Sequence, residues 1–309
     1  MICTCTLNPS LDYYMEYDKA LSGNAIVNRS QLEYYEAGGK GINVSIVLNN
    51  LGIPSRAFGF LGGFTKDFYV SLLAKYEEIR PNFTYINGHT RINVKCLAQE
   101  DFTDLHACGP YITNDDMENL KHKVSSLYEG DYFVLAGHSP EYLENDVQEM
   151  VEKSIAEGIK VVLDTNPRLM KKLLASKPFM IKTTPDELEV LAEMPCNTPD
   201  EIVKAAQSVH ASGSRYVMVV ESNETAILVC RQGVFRVELT NEEKTIRYVG
   251  TGDSLVAGFL MNYLRTKDAV DSFRFGASCG SATAYSKGLA TREKIDSFYE
   301  TTKVERIAE

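Results

Sequence analysis

The seven cysteines of this 309-residue chain are odd in number, and no two of them stand at Cys-x-x-Cys spacing. Cys3, Cys5, Cys96, Cys108, Cys196, Cys230 and Cys279 therefore offer neither a disulfide framework nor a thiolate metal site, and a reducing, cytoplasmic setting is expected. Cys3 and Cys5 share one face of a strand, where small thiols pack well. His89, His106, His122, His138 and His210 are equally scattered. No apolar run approaches the roughly 18–20 residues that cross a bilayer. The opening MICTCTLNPS has no basic residue ahead of its apolar ones, so no secretory signal is expected. Positive charge is also in short supply: 32 Lys and Arg face 42 Asp and Glu, a net charge of −10. That balance argues against non-specific binding of nucleic acid or anionic membrane. It leaves room for a small anionic ligand, which backbone amides and a few cations can hold.

What remains is a globular composition, 44% hydrophobic and 24% charged, long enough for one large or two smaller units. Ile2 to Leu7 reads as a buried strand. Strand-like and helix-like stretches then alternate: SRAFGF before TKDFYVSLLAKYEEI, DYFVLAG before EYLENDVQEMVEKSIAEG, then KVVLDT. Thr198-Pro199-Asp200-Glu201 has the pattern of a capping box with proline at the first helical position, and RYVMVV follows as a strand. Such alternation predicts an α/β fold with a mostly parallel central sheet flanked by helices. Residues 12–36, broken at Ser22-Gly23-Asn24, and 88–111 interrupt the rhythm with strands that have no helices between them. In RINVKCLA, Ile92, Val94 and Cys96 alternate with polar residues, as in a half-exposed sheet. These two stretches are expected to form a small sheet, and residues 1–11, 37–87 and 112–309 the large domain.

Two glycine turns carry the chemistry. In RYVGTGDSLVAGF, Gly250 and Gly252 permit a tight turn, and a helix expected from about Ser254 directs amides at one point. Asp253 sits beside them, placed to accept a proton from a hydroxyl while Gly250, Thr251 and Gly252 steady a transferring phosphoryl group. Alone, the stretch reads equally well as an ordinary turn with an acidic first helical turn. In AGGKGINVS, Gly38, Gly39, Lys40 and Asn43 offer close backbone approach, a cation and an amide. The spacing is neither that of a P-loop nor of a dinucleotide fingerprint, so a dehydrogenase is excluded; a tight turn with Asn43 capping or facing solvent is the plain alternative. Asp12 follows the first strand, where ligands of parallel sheets collect. Arg91 has the fork to grip a phosphate, although a lone strand Arg is more often a surface charge. Lys95 reads as a surface charge.

Taken together, TLNPSLD, AGGKGINVS, TRINVK, LAG with a following Ser-Pro pair, and VGTGDSLVAGF resemble, in order and over nearly the whole chain, the phosphofructokinase B branch of the ribokinase-like sugar kinases. The likeness leans to 1-phosphofructokinases and tagatose-6-phosphate kinases. It implies a ribokinase-like α/β domain with a small β-sheet lid that often serves as a dimer contact. It implies ATP and Mg²⁺, a phosphorylated ketohexose as substrate, and Asp253 as catalytic base beside an anion hole at Gly250 to Gly252. Asp12, Gly38, Gly39, Asn43 and His138 would meet the sugar, and Arg91 with Lys40 its phosphate. On the nucleotide side it implies Lys182, Thr184, Glu187, Glu221, Ser222 and Asn223, with Gly276 and Cys279 from the segment FGASCGSATAYSKGLA along the adenine pocket. Glu187 would act on Mg²⁺ through water.

The chain departs from that pattern at the nucleotide end. Thr184 replaces an amide side chain, His138-Ser139-Pro140 replaces a Ser-Leu-Pro run, and Glu221 to Ala226 lacks both glycines of the usual loop. Extra acid there is expected to repel nucleotide phosphates unless Mg²⁺ or a lysine intervenes. The expected reaction is phosphorylation of fructose 1-phosphate to fructose 1,6-bisphosphate. Tagatose 6-phosphate or fructose 6-phosphate are the alternative substrates. A sugar-phosphate-binding regulator with weak catalysis is the alternative of another class.

Overall fold

The computed structural model describes residues 1–19, 27–98, 101–222, 225–238 and 249–309. The break at Ser22-Gly23-Asn24 lies outside them, as do Asn223, Glu224, Arg247 and Tyr248. The chain runs β1 (Ile2–Thr6), β2 (Ser10–Tyr17), β3 (Leu32–Gly38), α1 (Lys40–Asn50), β4 (Ser55–Gly62), α2 (Gly63–Leu73), β5 (Ile79–Pro81), β6 (Thr84–Ile86), β7 (Arg91–Ala98) and β8 (Asp101–Leu105). It continues through α3 (Asn114–Val124), β9 (Tyr132–Ala136), α4 (Glu144–Ala156), β10 (Lys160–Asp164), α5 (Pro167–Leu173), β11 (Met180–Thr183), α6 (Pro185–Ala192), α7 (Pro199–Ala211) and β12 (Tyr216–Val220). It ends with β13 (Thr225–Cys230), β14 (Gly233–Glu238), α8 (Thr251–Thr266), α9 (Ala269–Ala284), α10 (Arg292–Thr301) and β15 (Val304–Ala308).

Seven strands, in the order β5-β4-β1-β9-β10-β11-β12, lie parallel in the main sheet, β6 also pairs parallel with β4, and β13, β14 and β15 extend it antiparallel. This is the mostly parallel sheet that the alternation predicts. Period-two patterning divides its core between two faces. Cys3, Cys5, Phe133 and Leu135 point to one face, which Met117 of α3, Val147 of α4 and Leu188 of α6 cover. Ile2, Tyr132 and Val134 point to the other, where Val44 of α1, Leu255 of α8 and Phe273 of α9 pack. The capping box at Thr198 forms as expected, with Glu201 answering the cap.

The two stretches without helices pair with each other in a second sheet of order β3-β2-β7-β8. Its central pair is parallel, with Asp12 opposite Asn93 and Tyr14 opposite Lys95, and β8 adds Asp104 across from Lys95. Because β2 follows directly from β1, and β3 runs straight into α1, the small sheet stands at the carboxyl ends of the main strands.

Candidate active site

Gly250 adopts φ 89°, a left-handed conformation that glycine takes without steric cost, and α8 begins at once on Thr251. The helix therefore starts three residues earlier than expected. Its first turn already contains Gly252 and Asp253, and no side chain caps it. The positive end of the helix dipole thus falls on the turn that carries Asp253. Opposite, α1 begins at Lys40 after Gly39. Asn43, one turn in, is buried and donates from Nδ2 to Asp253 Oδ2 at 2.8 Å. It neither caps α1 nor faces solvent.

A third element completes this cluster. Asp164, the last residue of β10, takes Lys40 Nζ at 2.8 Å on Oδ1 and Lys182 Nζ of β11 at 3.2 Å from Oδ2. Burial pushes Asp164 up, but Lys182 and Lys40 outweigh it and hold the carboxyl below the ordinary carboxylate range. Burial draws Lys40 down, yet Asp164, with Asp253 and Glu187 behind it, keeps the ammonium above the ordinary lysine range. Asp253 behaves oppositely. It is 5% exposed, and burial and then Asp164 raise its pKa, with Lys182, Lys40 and the Asn43 hydrogen bond opposing in part. The result is a buried acid tuned toward proton acceptance and release beside two ammonium groups.

On the small sheet, Asp12 is also buried. Its Oδ1 accepts from Ser10 Oγ at 2.6 Å and from Asn93 Nδ2 at 3.1 Å. Gly38 lies against it, two residues before Lys40, so the two clusters are neighbours along the chain. A Cβ at Gly38 would stand 2.5 Å from Asp12 Oδ2. Lys95, expected at the surface, is instead buried between Asp12 and Asp104. Arg91 is half-buried, giving hydrogen bonds to the carbonyls of Asn8 at 3.0 Å and Ala107 at 3.1 Å. Burial lowers it from the usual guanidinium range, with Asp12 and Asp104 opposing. It borders an open cavity of about 740 Å³ that Phe64, His89, Ile92 and Tyr111 also line. Lys40 and Arg91 are thus not brought onto one spot: the first ends on Asp164, the second on the 107–109 loop. His138 is exposed on the loop after β9, whose Gly137 amide donates to the Asp164 carbonyl.

The nucleotide-side candidates divide. Val220, Ser222, Thr251, Leu255, Gly280 and Ser281 border a small cavity of about 20 Å³ next to the α8 turn. Gly276 and Cys279 do not border it. Cys279 is 0% exposed, and its Sγ lies where a Cβ at Gly258 would be, while Gly276 abuts Leu255 and Phe259. Both pack between α8 and α9, while Ala277, Gly280 and Ser281 present the face of α9 that meets the cavity. Thr184 caps α6, and Glu187 answers it by accepting from the Thr184 amide at 3.1 Å. Glu221 stands 3.4 Å from Arg236 of β14, an arginine rather than the expected Mg²⁺ or lysine. Asn223 lies outside the described residues.

Asp164 and Asn93 went unmarked in the sequence. Both carried a signal: Asp164 ends the strand KVVLDT, where the rule that marks Asp12 applies equally, and Asn93 is two residues on from Arg91, hence on its face of the strand.

A pattern described as pfkB family carbohydrate kinase matches residues 6–295. The chain is 34% identical over 308 residues to a 1-phosphofructokinase of Bacillus subtilis, covering 99% of this chain and 100% of that one. It is 28% identical over 298 residues to a D-tagatose-1-phosphate kinase of Bacillus licheniformis, covering 96% of each. A crystal structure of a putative phosphofructokinase from Staphylococcus aureus superposes with a TM-score of 0.83 at 30% identity, covering 100% of this chain and 99% of that chain.

Proposed function

The chain belongs to the pfkB family of carbohydrate kinases, and on that premise we propose that it transfers the γ-phosphoryl group of ATP to fructose 1-phosphate, giving fructose 1,6-bisphosphate. The observation that carries this reading is the buried Asp253, held by Asn43 on the first turn of α8 and facing the Lys40–Asp164–Lys182 cluster. Asp253 accepts the proton of the free primary hydroxyl as that oxygen bonds to the γ-phosphorus. The bond from the γ-phosphorus to its bridging oxygen breaks, and ADP leaves. The amides at the start of α8 and the two ammonium groups offset the charge that spreads over the phosphoryl oxygens. Asp12, Gly38 and Gly39 hold sugar hydroxyls. Lys40, seated on Asp164, serves the transferring group, which leaves the substrate's own phosphate to Arg91.

Among the described residues no three acids, histidines or cysteines gather into a metal-holding group, and the Glu187 carboxylate is committed to the α6 cap. This donor set fits a Mg²⁺ that arrives on the nucleotide phosphates and keeps its own waters, with Glu187 meeting it through one of them. When bound, the ion supplies charge neutralisation at the β- and γ-phosphates. On the outer face of the small sheet, Tyr35, Tyr13, Val94 and Leu105 form one cross-strand row. The exposure of Tyr35 and Leu105 in it supports a homodimer through that sheet. Among the described residues no helix is long and apolar enough to cross a membrane. Nothing in the site favours a non-catalytic regulator.

The test is ADP release from Mg-ATP with fructose 1-phosphate, tagatose 1-phosphate, tagatose 6-phosphate and fructose 6-phosphate in parallel. Fructose 1-phosphate is expected to lead in kcat/KM by at least about tenfold. A lead by another sugar reassigns the substrate, and no turnover with any of them removes the kinase reading.

A further inference from the structure

Lys95 is 2% exposed on the small sheet, on the same strand face as Asn93 and Arg91. Its ammonium pairs with Asp104 Oδ2 and stops 3.7 Å from Asp12 Oδ2. The rings of Tyr14 and Phe102 flank it, each centred 5.9 Å away. A lysine so enclosed costs desolvation that a surface charge does not, so the position calls for an explanation beyond solubility.

The two oxygens of Asp12 are used differently. Oδ1 accepts both hydrogen bonds, from Ser10 Oγ and Asn93 Nδ2. Oδ2 has Lys95 at 3.7 Å, beyond the roughly 3.2 Å of a normal N–H···O bond yet near enough for strong attraction in a buried setting. Asp104 is what holds the ammonium at that distance. Its other partner, His106 Nε2 at 2.9 Å, is exposed and reaches it from the solvent side.

We propose that Lys95, tethered by Asp104, is a positioning residue for substrate binding: it sets a positive charge 3.7 Å from Asp12 Oδ2 while leaving that oxygen open to a hydroxyl of the sugar phosphate. The inference rests on the sugar-phosphate kinase reading. The charged and titratable groups that face Asp12 are Tyr14 of β2, Glu36 opposite it on β3, Arg91 and Lys95 of β7, Asp104 of β8, and Tyr69 of α2. Burial raises Asp12 from the ordinary carboxylate range, Lys95 opposes that rise, and Asp104 adds to it. Removing the cation therefore moves Asp12 further up, and removing Asp104 moves it down.

Lys95→Met and Asp104→Asn separate this role from a structural one. For each variant and the unmodified protein, KM and kcat for fructose 1-phosphate are measured from about pH 5 to 9, with calorimetric Kd for the sugar alone. Hydroxyl binding by the carboxylate is lost as pH falls through the Asp12 pKa. In Lys95→Met, KM and Kd at neutral pH rise at least about tenfold, kcat changes less than about threefold, and the acid-side weakening begins at higher pH. In Asp104→Asn the freed ammonium closes on Oδ2, so KM also rises, but the weakening begins at lower pH. Unmoved pH limbs in both variants, or a loss confined to kcat, overturn the proposal. An unmodified protein that binds the sugar without turning it over defeats the kinase reading alone, and the Kd limbs then decide this one. No binding at all overturns both.

Discussion

Among the described residues lysine is set against a buried aspartate in two places, and the two arrangements are reversed. In the large domain two ammonium groups, Lys40 and Lys182, share Asp164, and Asp253 stands next to them with an amide as its hydrogen-bond donor. In the small sheet two carboxylates, Asp12 and Asp104, share Lys95. The cation-rich cluster depresses one acid, while burial and then that acid's charge lift the other. Two carboxylates within one site are thus held at different proton affinities, the arrangement general-base chemistry needs. The acid-rich cluster leaves an oxygen of Asp12 beyond hydrogen-bond reach of its lysine, which suits holding a neutral hydroxyl. On the proposed reading, the first cluster serves transfer of a charged group and the second binding.

That contrast breaks first at Asp253. Asp253→Asn is expected to lower kcat by at least about a hundredfold with circular dichroism and Tm little changed; near-normal turnover would remove Asp253 from the mechanism. Asp164→Asn leaves both lysines without their acid. Breaking such a buried pair costs about 3 kcal/mol of stability, read as a lower Tm. It also removes the neighbouring charge that raises Asp253. On the proposed mechanism activity needs Asp253 as the carboxylate and is lost as pH falls through its pKa, so the acid limb of kcat/KM should move to lower pH. Asn43→Ala acts with the opposite sign: without its donor Asp253 rises, the limb moves to higher pH, and kcat/KM at neutral pH falls about tenfold. The smallest effect is expected from Glu221→Gln. Arg236 already answers that charge, so the KM for ATP should change less than about threefold. A large gain in ATP affinity would show that the acid does repel the nucleotide.

Much of the fold was legible because its signals are local. Alternating strand and helix patterns, capping boxes and period-two apolar residues record short-range geometry, and the second sheet announced itself through strands with no helix between them. The glycine turns were legible for the same reason, and Asp12, Asn43 and Asp253 beside them are all buried. Lys95 was misread because its burial comes from β2 and β8 closing on either side, a matter of register between strands dozens of residues apart. For Gly276 and Cys279 a stripe of small residues marks close helix packing as readily as a ligand wall, and their packing against α8 is set by tertiary structure alone. The helix after Gly250 was placed late, since a left-handed cap is a backbone choice that glycine permits but does not announce.

The sequence by itself determined the alternation that builds a mostly parallel sheet, the glycines that open α1 and α8, and the identity of the acid beside the second turn. Each follows from propensities and spacings within one stretch of chain. Tertiary structure alone decided that Asp164 joins Lys40 and Lys182, that Asn43 turns inward to Asp253, and that Lys95 lies between two acids. Those are charge balances among residues up to 210 positions apart, and their energies depend on distance and burial, which only the folded chain sets.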